Sequence, residues 1–271
     1  MTTIRFAALY ILAALILLPT AAAGSSNQEK QSGTVQIESN QRTEKNGTHD
    51  KSGEKKPRKT QKQESKNALP VPVYKPPLRG APAGRVAGGT RGEGMNFPYL
   101  CLIVPKHVGL TVSRQPVLYY YQSGSSAWPV EFTIIREQGI SPLVEARIAE
   151  HASPGIHKVP LADHGVYLET NVTYKWFISL IPDFQHRSKD ILAAGAIEYT
   201  KVPEKIQGRL NSASTYKKPF VLSEAGFWYD AIHSLSSLIE SEPDNTALKE
   251  QRSALLEQVG LSRAAGYDMK N

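Results

Sequence analysis

Cysteine is almost missing from this sequence: of 271 residues only Cys101 carries a thiol, so no intrachain disulfide can form and the core must hold without one. That thiol reads as core, because "YLCLIVP" is apolar on both faces and a nucleophilic cysteine wants partial exposure beside a cation. Charge of one sign is scarce beyond the N-terminal quarter. Residues 1–68 hold 11 Lys and Arg against 6 Asp and Glu, a net of +5, which leaves +2 of the formal +7 for residues 69–271. A nearly neutral globular part with no basic, aromatic-bearing face excludes a nucleic-acid partner. Long apolar runs are lacking too. The one such run, "FAALYILAALILL", falls short of the ~20 residues a membrane span requires.

Catalytic motifs are equally scarce. "SGSSA" around Ser125 is not a Gly-x-Ser-x-Gly elbow and reads as a polar hairpin turn. His151, His157 and His164, with Asp163 beside the last, could converge on a metal only if strand ends met, and isolated histidines near turns are ordinarily exposed or satisfied. The acidic residues are scattered, and nothing local pairs two of them at glycosidase distance. The sequence therefore assigns no catalytic residue, no metal ligand and no cofactor.

What is present begins with an export signal: Arg5, the apolar run, Pro19 and then "AAAG", the small residues a signal peptidase reads, with cleavage expected after Ala23. No cysteine follows for acylation, so in a Gram-negative bacterium the mature chain is expected to be periplasmic or secreted, without stable membrane insertion after cleavage. Residues 24–68 are polar, with Val35, Ile37 and Ala68 their only apolar side chains, and read as a disordered linker that cannot bury enough surface to offset the entropy of ordering.

A Gly/Pro/Arg-rich segment over 69–95 leads into the globular part. Within "YKPPLRGAPAGRVAGGTRG", Gly84 and Gly89 have Walker spacing, but Thr90 stands where the lysine is needed. A dinucleotide fingerprint fails as well, because "AGGTRG" precedes a strand and offers no helix N-terminus for phosphate. The segment is expected to lie against the domain as a strap. If it is instead a ligand or partner surface, Arg79, Arg85 and Arg91, six residues apart, are the residues to carry it.

That stretch, followed by "LIVPKHVGLTVSRQPVLYYY", "TYKWFISLIPDFQHRSKDILAAGAIEY" and "AGFWYDAIHSLSSLIESEPDN", resembles the bacterial domain-of-unknown-function family numbered 928, over about Tyr74 to Leu261. The resemblance implies an exported bacterial protein and carries over no site residue.

Over 96–202 short stretches rich in branched and aromatic residues alternate with turn signals, predicting strands near 98–104, 108–113, 116–122, 130–136, 143–149, 155–160, 166–170, 173–181 and 194–201. Tyr174, Trp176, Ile178 and Leu180 give the clearest period-two pattern, with Trp176 toward the core. The pattern predicts a mainly β fold, an immunoglobulin-like β-sandwich, followed over 203–262 by an α-helical hairpin. One long helix is expected from near Pro219 to Ile239 and a second, opened by Asp244 or Asn245 as cap and closed by Gly260, with 263–271 as a C-terminal tail. "YDAIHSLSSLIESEPDN" is similar to the second helix of a tetratricopeptide repeat, with Leu238 where a small residue is usual. With no chemistry beside two binding-prone architectures, the expected function is a non-catalytic protein-interaction module whose partner is another envelope or secreted protein. The alternative is a carbohydrate-binding protein or cell-envelope hydrolase working through Tyr119, Tyr120, Tyr121 and Trp128.

Overall fold

The alternation of Tyr174, Trp176, Ile178 and Leu180 produces the strand it predicts, and all four side chains are buried. The structure is a computed structural model that describes residues 70–77, 85–86, 97–151 and 153–270. The expected signal peptide (1–23) and linker (24–68) lie outside the described residues.

Strand β7 (Thr173–Leu180) is the middle of a five-stranded sheet, flanked by β8 (Ile191–Tyr199) and β4 (Val130–Arg136). Beyond them lie β2 (Gly109–Thr111) at one edge and β5 (Val144–Ala149) at the other. The ladders are antiparallel except for β2 on β8, which is parallel. A second, three-stranded sheet runs in the order β1 (Leu100–Leu102), β3 (Val117–Gln122), β6 (Gly155–Pro160). The chain beyond β1 crosses close over β8. A Cβ on Gly195 would stand 2.9 Å from Val104 Cγ2 and 3.3 Å from Leu102 Cδ1, so only glycine admits that approach.

Five helices follow: α1 (Glu204–Ser212), α2 (Lys218–Glu224), α3 (Trp228–Ser241), α4 (Thr246–Gln258) and α5 (Ser262–Asp268). The single helix expected from Pro219 to Ile239 is broken at Gly226, whose φ of +84° ends α2 and redirects the chain into α3. Helix α5 occupies the stretch read as a tail.

The immunoglobulin-like sandwich with an appended tetratricopeptide-like hairpin is therefore corrected to a mixed α/β fold. Such a sandwich closes its core with two antiparallel sheets. Here one ladder is parallel, and α3 supplies part of the core itself. The Trp228 indole N–H donates to the Ile103 carbonyl at 2.8 Å, and the Tyr229 hydroxyl donates to the Ala196 carbonyl at 3.0 Å. Both rings are buried in the same cluster as Trp176 and Phe132, and burying a large apolar side chain stabilises by roughly 1.5–3 kcal/mol. The helices complete the core and are not docked onto a finished one.

The strand expected at 166–170 is also corrected. Val166 and Leu168 are buried and Tyr167 is exposed, as alternation requires, but the backbone bonds go to Leu161 and Arg114, not to a neighbouring strand. Only Thr170 forms a bridge, with Tyr199. Among the described residues no helix is long and apolar enough to cross a membrane.

Candidate functional site

Residues 70–77, "PVPVYKPP", form neither helix nor paired strand, and their contacts with Gln251, Gln258 and Ser223 are those of a segment laid out in extended fashion along α4 and α2. Four prolines favour that state, and exposure alternates along it: Pro72 and Tyr74 are buried while Val71, Val73 and Lys75 face out. The hold is made by side chains on main chain. The Gln258 amide at the end of α4 takes the segment at two points: its Oε1 accepts from the Tyr74 N–H at 2.8 Å, and its Nε2 donates to the Pro72 carbonyl at 2.9 Å. Two turns earlier on α4, Gln251 donates to the Pro70 carbonyl at 3.3 Å. The Lys75 N–H donates to the Ser223 carbonyl at 3.1 Å.

Tyr74 is the anchor. Its ring meets Trp228 edge-on at 4.9 Å and stacks on His107 at 5.9 Å. Burial raises the Tyr74 phenol above its usual range and lowers His107, so a protonated hydroxyl and a neutral imidazole share the 2.9 Å hydrogen bond between the Tyr74 oxygen and His107 Nε2, its direction set by the imidazole tautomer. The Lys75 ammonium pairs with Glu224 at 2.9 Å, and Glu224 also receives Arg209. Hydrogen bonds from Lys75 and then Arg209 hold that carboxyl down at about 2. A side chain on Gly226 would meet the Lys75 carbonyl oxygen at 3.0 Å, so the glycine that breaks the helix also lets the segment pass.

Of the three arginines singled out in the sequence, Arg79 and Arg91 lie outside the described residues. Arg85 donates to the carbonyls of Val104, Val259 and Gly260 at 3.0, 3.1 and 3.1 Å. A guanidinium there satisfies carbonyls at the C-terminal end of α4 and complements the negative end of its dipole. Val86 beside it exchanges two backbone bonds with Ala194 on β8, at 3.1 and 3.0 Å. The structure thus gives Arg85 intramolecular partners.

Helix α3 separates two further clefts. One of about 480 Å³ is lined by Tyr119, His157, Lys158, Ser236, Glu240 and Arg252 among others. The second, of about 550 Å³, includes Asp230, His233, Lys218 and Ser237. A buried polar chain links them: Arg252 pairs with Asp268 and donates to the Ser236 hydroxyl at 2.9 Å, Ser236 bonds Tyr119, and the Tyr119 hydroxyl lies 2.9 Å from His233 Nδ1. Burial pushes Tyr119 up to about 12 and His233 down, so this bond joins a protonated phenol to a neutral imidazole, its direction set by the imidazole tautomer. Burial also raises Asp230 to about 6, although the Val112 N–H and the Thr111 hydroxyl both donate to it.

Residues 86–268 match the family described as Domain of Unknown Function (DUF928). The chain belongs to this family. No curated protein matches it.

The remaining sequence candidates of this DUF928 chain disperse into structural roles. His157 Nε2 meets the Ser153 carbonyl at 2.7 Å and the His164 ring packs on Phe132, so the three histidines are not gathered. Among the described residues no group of three His, Cys, Asp or Glu is placed to hold a metal. In the serine turn the Ser123 hydroxyl accepts from the Tyr99 N–H and the Ser126 hydroxyl from the Trp128 N–H, while Ser125 is exposed. Cys101 is buried, and burial pushes its thiol up to about 11, away from a nucleophile's range. Tyr119, Tyr120 and Tyr121 are all buried, on both faces of β3, and so offer no sugar-stacking platform. Sequence reasoning did not find Gln258, Trp228 or His107. A glutamine near a helix end carries no periodic signal, and only the close spacing of Tyr74 with four prolines hinted at a docked extended segment.

Proposed function

We propose that this DUF928 protein is an exported, non-catalytic interaction module that binds extended peptide segments of another envelope or secreted protein. One observation carries the reading: the two-point hold of Gln258 on the main chain of residues 72–74. Side-chain amides that satisfy the N–H and C=O of an extended strand recognise backbone, the mode by which many modules take linear peptides. Export rests on Arg5, the apolar run after it and "AAAG". For carbohydrate binding through Tyr119, Tyr120, Tyr121 and Trp128, the three tyrosine rings are buried, and the half-buried Trp128 packs against Phe97.

The test is a cross-linking pull-down from an envelope extract, using the chain and its Gln258→Ala variant, with N-terminal sequencing of the exported form. A partner retained by the former and lost by the latter, on a chain beginning at Gly24, is the expected result. Recovery of nothing by either form overturns the interaction reading.

A further inference from the structure

The groove that holds residues 70–77 specifies its occupant. The inference rests on the interaction reading above and adds the chemistry of the partner. Read from the groove outward, five requirements stand in register. A phenol must fill the space between Trp228 and His107 and share a hydrogen bond with His107 Nε2. The same residue needs a free N–H for Gln258 Oε1, so proline is excluded there. Carbonyls two and four residues earlier must face Gln258 and Gln251, a demand any residue meets in extended conformation, proline included. The next residue must bring an N–H to the Ser223 carbonyl and is favoured as a cation, because Glu224 faces its side chain. Three residues beyond the tyrosine, a proline packs where Gly226 leaves space.

Pro70, Pro72, Pro76 and Pro77 carry no N–H and ask for no acceptor, the exposed Val71 and Val73 face away from the groove, and the N–H groups of Tyr74 and Lys75 are the two that it accepts. Segment and groove therefore match in donors, acceptors, ring shape and charge. We propose that the groove is a recognition site for a proline-flanked, extended Tyr-Lys or Tyr-Arg segment of a partner protein, and that residues 70–77 are its intramolecular competitor. A tethered competitor acts at millimolar effective concentration, so a partner engages fully only when it presents several such segments or when the chain's own copy is loosened. Most of the recognition lies in backbone hydrogen bonds, and specificity is set by one aromatic anchor and one charge.

The probe is a fluorescein-labelled peptide of sequence PVPVYKPP, titrated by fluorescence anisotropy into the full chain, with melting curves confirming that each form is folded. The wild-type chain should bind it at least tenfold more weakly than Tyr74→Ala, whose own segment competes without its anchoring ring. A peptide with alanine for tyrosine should lose at least tenfold in affinity on either chain. Lys75→Glu is the second route, since it loosens the competitor by repulsion from Glu224 while keeping the Tyr74 ring in the chain; it too should bind the probe more tightly than wild type. Equal, weak binding of the tyrosine and alanine peptides by both folded variants overturns the proposal. The wider interaction reading survives that outcome if the extract still yields a partner that depends on another surface. A wild-type dimer that Tyr74→Ala abolishes in sedimentation assigns the groove to a second copy of the chain and also overturns the partner assignment.

Discussion

The indole N–H of Trp176, in the middle of β7, donates to the hydroxyl of Tyr229, in the first turn of α3, at 3.0 Å, and both side chains are buried. The hydroxyl in turn donates a hydrogen bond to the Ala196 carbonyl. One phenol oxygen thus joins the larger sheet to the helical layer. Tyr229→Phe leaves an indole N–H and a strand carbonyl without that partner, and it should lower stability by about 1–3 kcal/mol in urea unfolding. A change within error would mean that the bond contributes little to holding α3 on the sheet.

A buried ion pair locks the end of the chain. Arg252 on α4 and Asp268 on α5 are bonded at 2.8 and 2.5 Å through both carboxylate oxygens, and both are nearly inaccessible. Asp268→Ala strands a buried guanidinium and should cost about 3–5 kcal/mol, whereas the double change Arg252→Met, Asp268→Leu should recover most of that loss. Thermal unfolding of the three forms measures both effects.

Asp230 predicts an unusual pH dependence. Its carboxyl rises from 3.8 in the unfolded chain to about 6 in the folded one because burial disfavours the charge. Between those values the folded state binds the extra proton, so this group's contribution to stability is fully present below the unfolded value of 3.8 and is lost as pH climbs through about 6. His107 and His233, both lowered by burial, act in the opposite direction as pH falls below their unfolded value. The difference between wild type and Asp230→Asn isolates the carboxyl: their stabilities should diverge with pH between 4 and 6 and run parallel above it.

The segment ahead of the domain should stabilise it. A chain beginning at Met95 loses the Tyr74 anchor and the Arg85 contacts, and should melt several degrees below one beginning at Leu69, on the order of 1–3 kcal/mol. Arg85→Ala alone should produce part of the same shift. Equal melting temperatures for the two chains would return Arg85 to the role of a binding residue.

Cys101 should resist iodoacetamide in the native protein at pH 8, because its thiol is buried and held at about 11. Mass spectrometry should find it labelled only after denaturant is added.

How far the fold can be read from residues differs from element to element. Strand β7 was legible because its alternation is strict, and α4 because a capping Asp244 or Asn245 and Gly260 bracket it. Helix α5 was not, since seven residues are too few for a period, and its place depends on Asp268 meeting Arg252, sixteen positions away. The break at Gly226 was hidden because apolar residues recur at helical spacing across it. Val166 and Leu168 alternated as in a strand, yet no neighbour lay in position to pair with them.

By itself the sequence determined what is local: which stretches prefer strand or helix, where prolines hold the chain extended, and that no disulfide is available. These follow from backbone sterics and from side-chain period, which act within a few residues. Only the tertiary structure decided that α3 completes the core, that β2 joins the sheet in parallel, and that Gln258 meets Pro72 and Tyr74 from more than 180 positions away. Those outcomes depend on which apolar faces cover one another and on which distant donors reach buried carbonyls, and contacts of that kind leave no periodic trace in the chain.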